Sequence, residues 1–140
     1  MTDVTHDANQ KMIARDRATA ALGITVHGYT PGNVSISMPI RDDMINGFDV
    51  THGGYVFTLA DTAFAIACNL NDNVTLAAGA DITFLKATRK GQTLTATAEV
   101  RVQRGRSGIY DVRVTDETGD VVAEFRGRSR TTTMSTPTTA

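Results

Sequence analysis

The sequence has no tryptophan, one cysteine and three prolines in 140 residues, and only 6% of it is aromatic. With a single cysteine, Cys68, no internal disulfide can form, which points to a reducing compartment and a cytoplasmic location. So little proline beside 41% hydrophobic residues excludes a disordered, low-complexity chain. An excess of charge of either sign is missing too. Fifteen acidic against 14 basic residues leave a net charge of -1, so no overall field draws the protein to nucleic acid or to a membrane surface. Met1–Gln10 carries no apolar stretch of the kind a secretory signal needs. The one long apolar run, residues 53–70, has Asp61 at its centre and glycines at its start, which argues for a buried helix rather than a membrane span.

Most sequence signatures of chemistry are missing as well. The three histidines, His6, His27 and His52, are scattered, with no i, i+4 pair and no cysteine partner, so no zinc site is expected. There is no G-x-S-x-G elbow, no Walker A loop and no G-x-G-x-x-G after a strand. No resident cofactor is therefore expected.

What is there centres on residues 52–70, HGGYVFTLADTAFAIACNL. Phe57, Phe64 and Cys68 recur at helical spacing, and Leu59, Ala63, Ile66 and Leu70 form a second stripe. A helix apolar nearly all round is a core helix. Asp61 shares the Phe57–Phe64 face, and its neighbours one turn away, Phe57, Thr58, Phe64 and Ala65, include no cation. Burying an unpaired carboxylate costs several kcal/mol or raises its pKa, so the carboxylate is either paired from elsewhere in the fold or used. Thr51 or His52 can cap this helix, and Gly53-Gly54 makes its first turn. The first N–H groups of a helix have no partner within it, and the helix dipole favours negative charge there. Bare glycines leave those donors open to a ligand oxygen, unless they serve only a tight turn. Donors at the helix start and a carboxylate two turns on suit attack on a carbonyl.

The flanking chain supplies a sheet. Ala8–Leu22 is expected as one amphipathic helix, after a frayed 1–5. Ile24–Tyr29 and Val34–Ile40 read as a hairpin about Pro31-Gly32-Asn33. After the central helix, residues 74–85 read as an inner strand, and Thr93–Gln103, Tyr110–Val114 and Val121–Phe125 alternate apolar with polar. Sequential strands joined by short turns make an antiparallel sheet, polar on one face and laid against the helix on the other. The fold class is α+β, a single domain over residues 1–133, with 134–140 expected as a disordered Thr- and Pro-rich tail. Arg104, Arg106, Arg126, Arg128 and Arg130 bias the last hairpin towards positive charge; they form a solvated sheet face or a site for a phosphate-bearing ligand.

The stretch from Asn46 to Asn69, NGFDVTHGGYVFTLADTAFAIACN, resembles the hot-dog-fold acyl-CoA thioesterases, especially the phenylacetyl-CoA and hydroxyphenylacetyl-CoA hydrolases of phenylacetate pathways. Asp81–Leu85, Gly91–Ala98, Gly108–Val112 and Phe125–Ser129 extend the likeness over nearly the whole chain. The resemblance implies an antiparallel sheet wrapped around the helix at about 53–70. It also implies a homodimer that assembles further into a homotetramer, with the active site at the dimer interface. Asp61 matches the catalytic carboxylate, as general base or nucleophile. The Gly53 N–H, with Gly54, matches the oxyanion donor, and Asn46 matches a polar side chain from the opposite subunit. His52 and Thr62 fall in supporting places. Coenzyme A then belongs to the substrate, and Lys86, Arg89, Arg104 and Arg106 are candidates for its phosphates. Phe48, Tyr55, Phe57, Phe64 and Phe84 are candidates for shaping an aromatic acyl pocket, though core packing explains most of them equally well. Hot-dog hydratases place a histidine five residues after the aspartate, where this chain has Ile66. A non-catalytic acyl-CoA-binding module is the other reading, against which a carboxylate on an apolar helix face argues.

Overall fold

The structure, a computed structural model, describes residues 4–69 and 73–135. Two short helices, α1 (Val4–Arg15) and α2 (Arg17–Ala21), precede a hairpin of β1 (Thr25–Thr30) and β2 (Asn33–Pro39). A 3-10 turn at Asp42–Met44 leads into α3 (Gly53–Cys68), followed by β3 (Asn73–Phe84), β4 (Thr93–Arg104), β5 (Ser107–Thr115) and β6 (Val121–Ser135). The six strands form one sheet in the order β1-β2-β4-β5-β6-β3, every neighbouring pair antiparallel. The fold is α+β, a sheet curved around one main helix.

The alternation read in β4 to β6 is what builds the core. Leu94, Ala96 and Ala98, Tyr110, Val112 and Val114, and Ala123 and Phe125 all turn inward and are buried with Leu59, Ala63, Phe64 and Ile66 of α3. Phe64 packs on Tyr110 and Phe125 with ring centroids 5.6 and 5.8 Å apart. Gly127 lets the helix come this close, since a Cβ there would meet the Phe64 ring at 2.8 Å.

Four expectations are corrected. The first helix is two: Asp16 interrupts it and caps α2, its carboxylate accepting the N–H and hydroxyl of Thr19 at 2.9 and 2.6 Å. Competition of an Asp side chain with helical backbone explains the break. β3 is not an inner strand but the sheet's edge, leaving Leu76 and Phe84 exposed, with Leu85 just beyond them. Its continuous apolar character reflects a surface uncovered in the single chain. β6 runs on to Ser135, pairing Asn73 with Ser135, so the strand enters the stretch expected to be a tail; residues 136–140 lie outside the described residues, as do 1–3 of the frayed start. The central helix is not covered all round either. Phe57, Thr58, Asp61 and Ala65 form a partly open stripe along it, and it ends at Cys68, with Leu70 outside the described residues.

Among the described residues no helix is long and apolar enough to cross a membrane.

Candidate active site

The start of α3 is held from three sides. Thr51 donates its N–H to the Thr88 carbonyl at 2.8 Å, the two threonine hydroxyls meet at 2.7 Å, and the His52 N–H reaches the Met44 carbonyl at 2.8 Å. These bonds fix where the helix begins. His52 is its N-cap, and its Nδ1 accepts the Gly54 N–H at 3.0 Å. Gly54 is therefore not the open donor it was expected to be, because its own cap occupies it. The Gly53 N–H has no hydrogen-bond partner among the described residues. The Phe84 ring lies against the glycine, where a Cβ would stand 3.0 Å from Phe84 Cζ. A groove of about 420 Å³ opens beside it, lined by Val50, Thr51, Gly53, Phe84 and Thr88.

Asp61 sits on the open stripe, partly buried, with no hydrogen bond and no ion pair among the described residues. Burial pushes its pKa above the usual carboxylate range, and the negative charge of Asp16 adds to that. Nothing among the described residues neutralises it, so of the two readings left open by the sequence, pairing within the described fold drops out. Thr62, one residue on, is buried and turns its hydroxyl back to the Thr58 carbonyl at 2.8 Å. That bond occupies its hydroxyl hydrogen, which is then not offered to a substrate.

Eight residues separate Gly53 from Asp61 on one straight helix, which at 1.5 Å per residue is about 12 Å. One chain therefore does not bring its own donor and its own carboxylate to one carbonyl, contrary to the simplest expectation from their spacing.

Asn46 lies in the loop before α3. Its Oδ1 accepts the N–H groups of Phe48 and Val50 at 2.9 and 3.3 Å, and its backbone N–H bonds the Val50 carbonyl at 2.8 Å. The side-chain carbonyl thus closes the turn that Asn-Gly signals, while its NH2 group has no partner among the described residues. Asp49, with φ 63°, completes the turn in the left-handed region. Phe48 stands 87% exposed at its tip.

The expected phosphate-binding cations separate. Lys86 is taken: its ammonium bridges Asp116 at 2.6 Å and Asp120 at 2.8 Å, and both bonds hold its pKa high. Arg89 donates to the Asp49 carbonyl at 3.3 Å, close to the helix start. Arg104 and Arg106 flank the β4–β5 turn and make no ion pair among the described residues. That turn lies beside the Asn73 end of the sheet, whereas Gly53 packs at the Phe84 end, so within one chain they are a strand's length apart. Of the aromatic candidates, Phe64 is core, Phe57 leans on Phe125 with centroids 5.4 Å apart, and Phe84 borders Gly53. The sequence reading missed Asp16 and Met12, which border the α3 stripe; a helix-breaking Asp was the available signal for the first.

A single helix wrapped by an antiparallel sheet, with glycines at its start and one unpaired carboxylate on its open stripe, is the hot-dog fold of the thioesterases. The chain belongs to the thioesterase superfamily, which matches residues 48–123. It is 41% identical over 118 residues to the acyl-coenzyme A thioesterase PaaI of Escherichia coli, spanning 84% of each chain. The solved structure of E. coli PaaI, from the phenylacetic acid degradation operon, superposes with a TM-score of 0.89 at 38% identity, over 94% of this chain and 98% of that one. A variant of the phenylacetic acid degradation protein PaaI of Thermus thermophilus gives a TM-score of 0.79 at 30% identity, over 82% and 98%. Ile66, at the position where hot-dog hydratases carry histidine, agrees with this membership.

Proposed function

We propose that the protein hydrolyses aryl-acetyl thioesters of coenzyme A, of the phenylacetyl or hydroxyphenylacetyl type, to the free acid and the thiol. The observation that carries this is Asp61, an unpaired carboxylate on the open stripe of a helix whose first N–H is also unpartnered. The 41% identity to an acyl-CoA thioesterase supports the class of substrate.

The 12 Å between donor and carboxylate supports a site shared between two copies. β3 exposes an apolar edge with unpaired backbone groups, the usual invitation to a second copy. A twofold pairing there runs the two edges in opposite directions and brings the helix start of one copy back along the helix of the other. The thioester carbonyl then sits on Gly53 of one copy and faces Asp61 of the second, with Asn46 supplying its free NH2 from the loop beside the donor. Asp61 takes a proton from water, the resulting hydroxide adds to the carbonyl carbon, and the Gly53 N–H holds the oxyanion. The C–S bond breaks as the carbonyl reforms, and the thiolate leaves with the proton from Asp61. Direct attack by the carboxylate would instead give a mixed anhydride that water opens; label from heavy-oxygen water entering Asp61 in a single turnover distinguishes that route. Neither route needs a resident cofactor. Arg89, Arg104 and Arg106 remain for the phosphates of coenzyme A, and Lys86 does not. We also propose a homotetramer built from such dimers, and a cytoplasmic location.

Thiol release from phenylacetyl-CoA, hydroxyphenylacetyl-CoA and a medium-chain acyl-CoA tests the reading. Asp61→Asn keeps the shape and lowers turnover by about 10²–10⁴. If only the medium-chain ester is cleaved, the chemistry stands and the aryl-acetyl assignment falls. Acyl-CoA bound tightly but never cleaved, or a fully active Asp61→Asn, establishes a binding module instead.

A further inference from the structure

A second cavity, of about 330 Å³, lies between α1 and the later half of α3, closed on its third side by the start of β3. Met12, Ala65, Val74 and Leu76 give it an apolar lining, and Arg15, Asp16, Asn69 and Thr75 give it polar groups. Ala65 is one helical turn beyond Asp61 on the same open stripe, so the cavity begins where the carboxylate ends. Asp16 is near enough to Asp61 for their charges to interact. Small-molecule sites are typically hollows of about 300–1,000 Å³, mainly apolar with a few placed polar groups. Two of the other hollows differ. One lies on the charged outer face among Glu99, Arg101, Asp111 and Arg113, and another is the groove at Gly53.

We propose that the cavity between α1 and α3 is the acyl pocket of this enzyme, and that Met12 sets the size of acyl group it accepts. This rests on the thioesterase reading, since only a substrate whose carbonyl stands at Asp61 places its acyl group one turn further along α3. Coenzyme A then leaves the carbonyl in the opposite direction, towards the groove at Gly53 of the other copy. Met12 is the one flexible apolar side chain that α1 contributes to the wall. Asn69 is not free to adapt: its amide is tied to the Ala65 and Thr75 carbonyls and to the Thr75 N–H. Asp16 uses each carboxylate oxygen once, on Thr19, and keeps acceptor capacity for a ring hydroxyl. The wall is therefore adjustable from α1 and fixed from α3.

The test uses Met12→Trp, which fills the hollow, and Met12→Ala, which enlarges it. Affinity is measured by calorimetry for coenzyme A and for phenacyl-CoA, a thioether that cannot be hydrolysed. Initial rates are measured with acetyl-CoA, phenylacetyl-CoA and the bulkier naphthylacetyl-CoA. Met12→Trp should weaken phenacyl-CoA binding about tenfold or more, as loss of pocket volume does in apolar sites, and leave the affinity for coenzyme A unchanged. Met12→Ala should shift kcat/KM towards the naphthylacetyl ester relative to phenylacetyl, with acetyl-CoA unaffected. Equal losses for acetyl and aryl esters, or no change in either variant, overturn the assignment while leaving the thioesterase standing. Binding that discriminates as expected in a protein with no turnover supports the pocket and overturns the enzyme. No binding of either compound to the wild type overturns both.

Discussion

His52 Nδ1 accepts the Gly54 N–H at 3.0 Å, and this bond decides which of two adjacent glycines has a donor to give a substrate. His52→Ala removes the cap, which typically costs about 0.5–2 kcal/mol and loosens the helix turn that carries Gly53. kcat/KM should fall roughly tenfold as the donor loses its fixed position, in line with the sensitivity of rate to misplacement. Asn caps about as well as any residue, so His52→Asn should restore most of both losses. Thermal melts and thiol-release kinetics on the two variants read this directly. If Asn restores the melting temperature but not the rate, the imidazole touches the substrate itself.

The role of the Gly53 N–H can be isolated by comparing Gly53→Pro with Gly53→Ala. Gly53 is the first residue of α3, where proline is favoured because the missing N–H would be unpaired anyway. His52 at φ -62°, ψ 128° is already in the conformation a following proline demands. Both variants add a Cβ against the Phe84 ring, which is 52% exposed and able to shift. Only proline removes the donor. The proline variant should therefore be slower than the alanine variant by about 10²–10³ in kcat, with similar melting temperatures. Equal rates would leave the oxyanion without its donor at Gly53.

The sheet was legible because β4, β5 and most of β6 alternate apolar with polar residues, and half-buried strands leave that pattern. β3 was legible as a strand but not as an edge: its apolar run has the composition of an inner strand because an edge built to meet a second copy needs the same residues. Asp61 and Gly53 stood out in the sequence as violations, a charge on an apolar face and glycines where a helix starts. The choice between Gly53 and Gly54 needed a hydrogen bond, and the withdrawal of Lys86 needed two aspartates about 30 residues away. Asp16 was hidden because a capping aspartate at a helix break is ordinary, and its nearness to Asp61 is a tertiary fact.

Asp61 makes activity and stability respond to pH in opposite directions. As a base it works ionised, so the rate should rise with pH through its folded pKa, which burial and Asp16 hold above the usual value near about 4. Asp16→Asn keeps the cap of α2 and removes the charge, so the rising limb of the pH–rate profile should move to lower pH. Stability runs the other way. A carboxyl whose pKa is raised by folding binds its proton more tightly in the folded state, so stability is highest with Asp61 protonated and declines as pH climbs through the folded value. Asp61→Asn should consequently melt higher than wild type at neutral pH, and the difference should vanish below about pH 4. A lower melting point at neutral pH would mean that the carboxylate has a stabilising partner after all.

Lys86 and Asp116 belong to the fold, and their variants should show it. The Asp116 carboxylate is almost wholly enclosed and accepts from Lys86, from the Thr118 N–H and hydroxyl, and from the Asp120 N–H. These bonds, that from Lys86 foremost, hold its pKa well below the ordinary carboxylate range. A depressed pKa contributes stability that is complete above the unfolded value near about 4 and is lost as pH falls through the folded one. Asp116→Asn should lower the melting temperature at pH 7, with the gap to wild type narrowing below pH 4. Lys86→Ala should also melt lower, while KM for the acyl-CoA stays within about twofold, because the ammonium is already committed and has little to offer a phosphate. Charge reversal at Arg104 and Arg106 should do the converse, raising KM severalfold without moving the melt, since neither arginine makes an ion pair among the described residues. A Lys86→Ala variant with an unchanged melt and a raised KM would return that lysine to the substrate site.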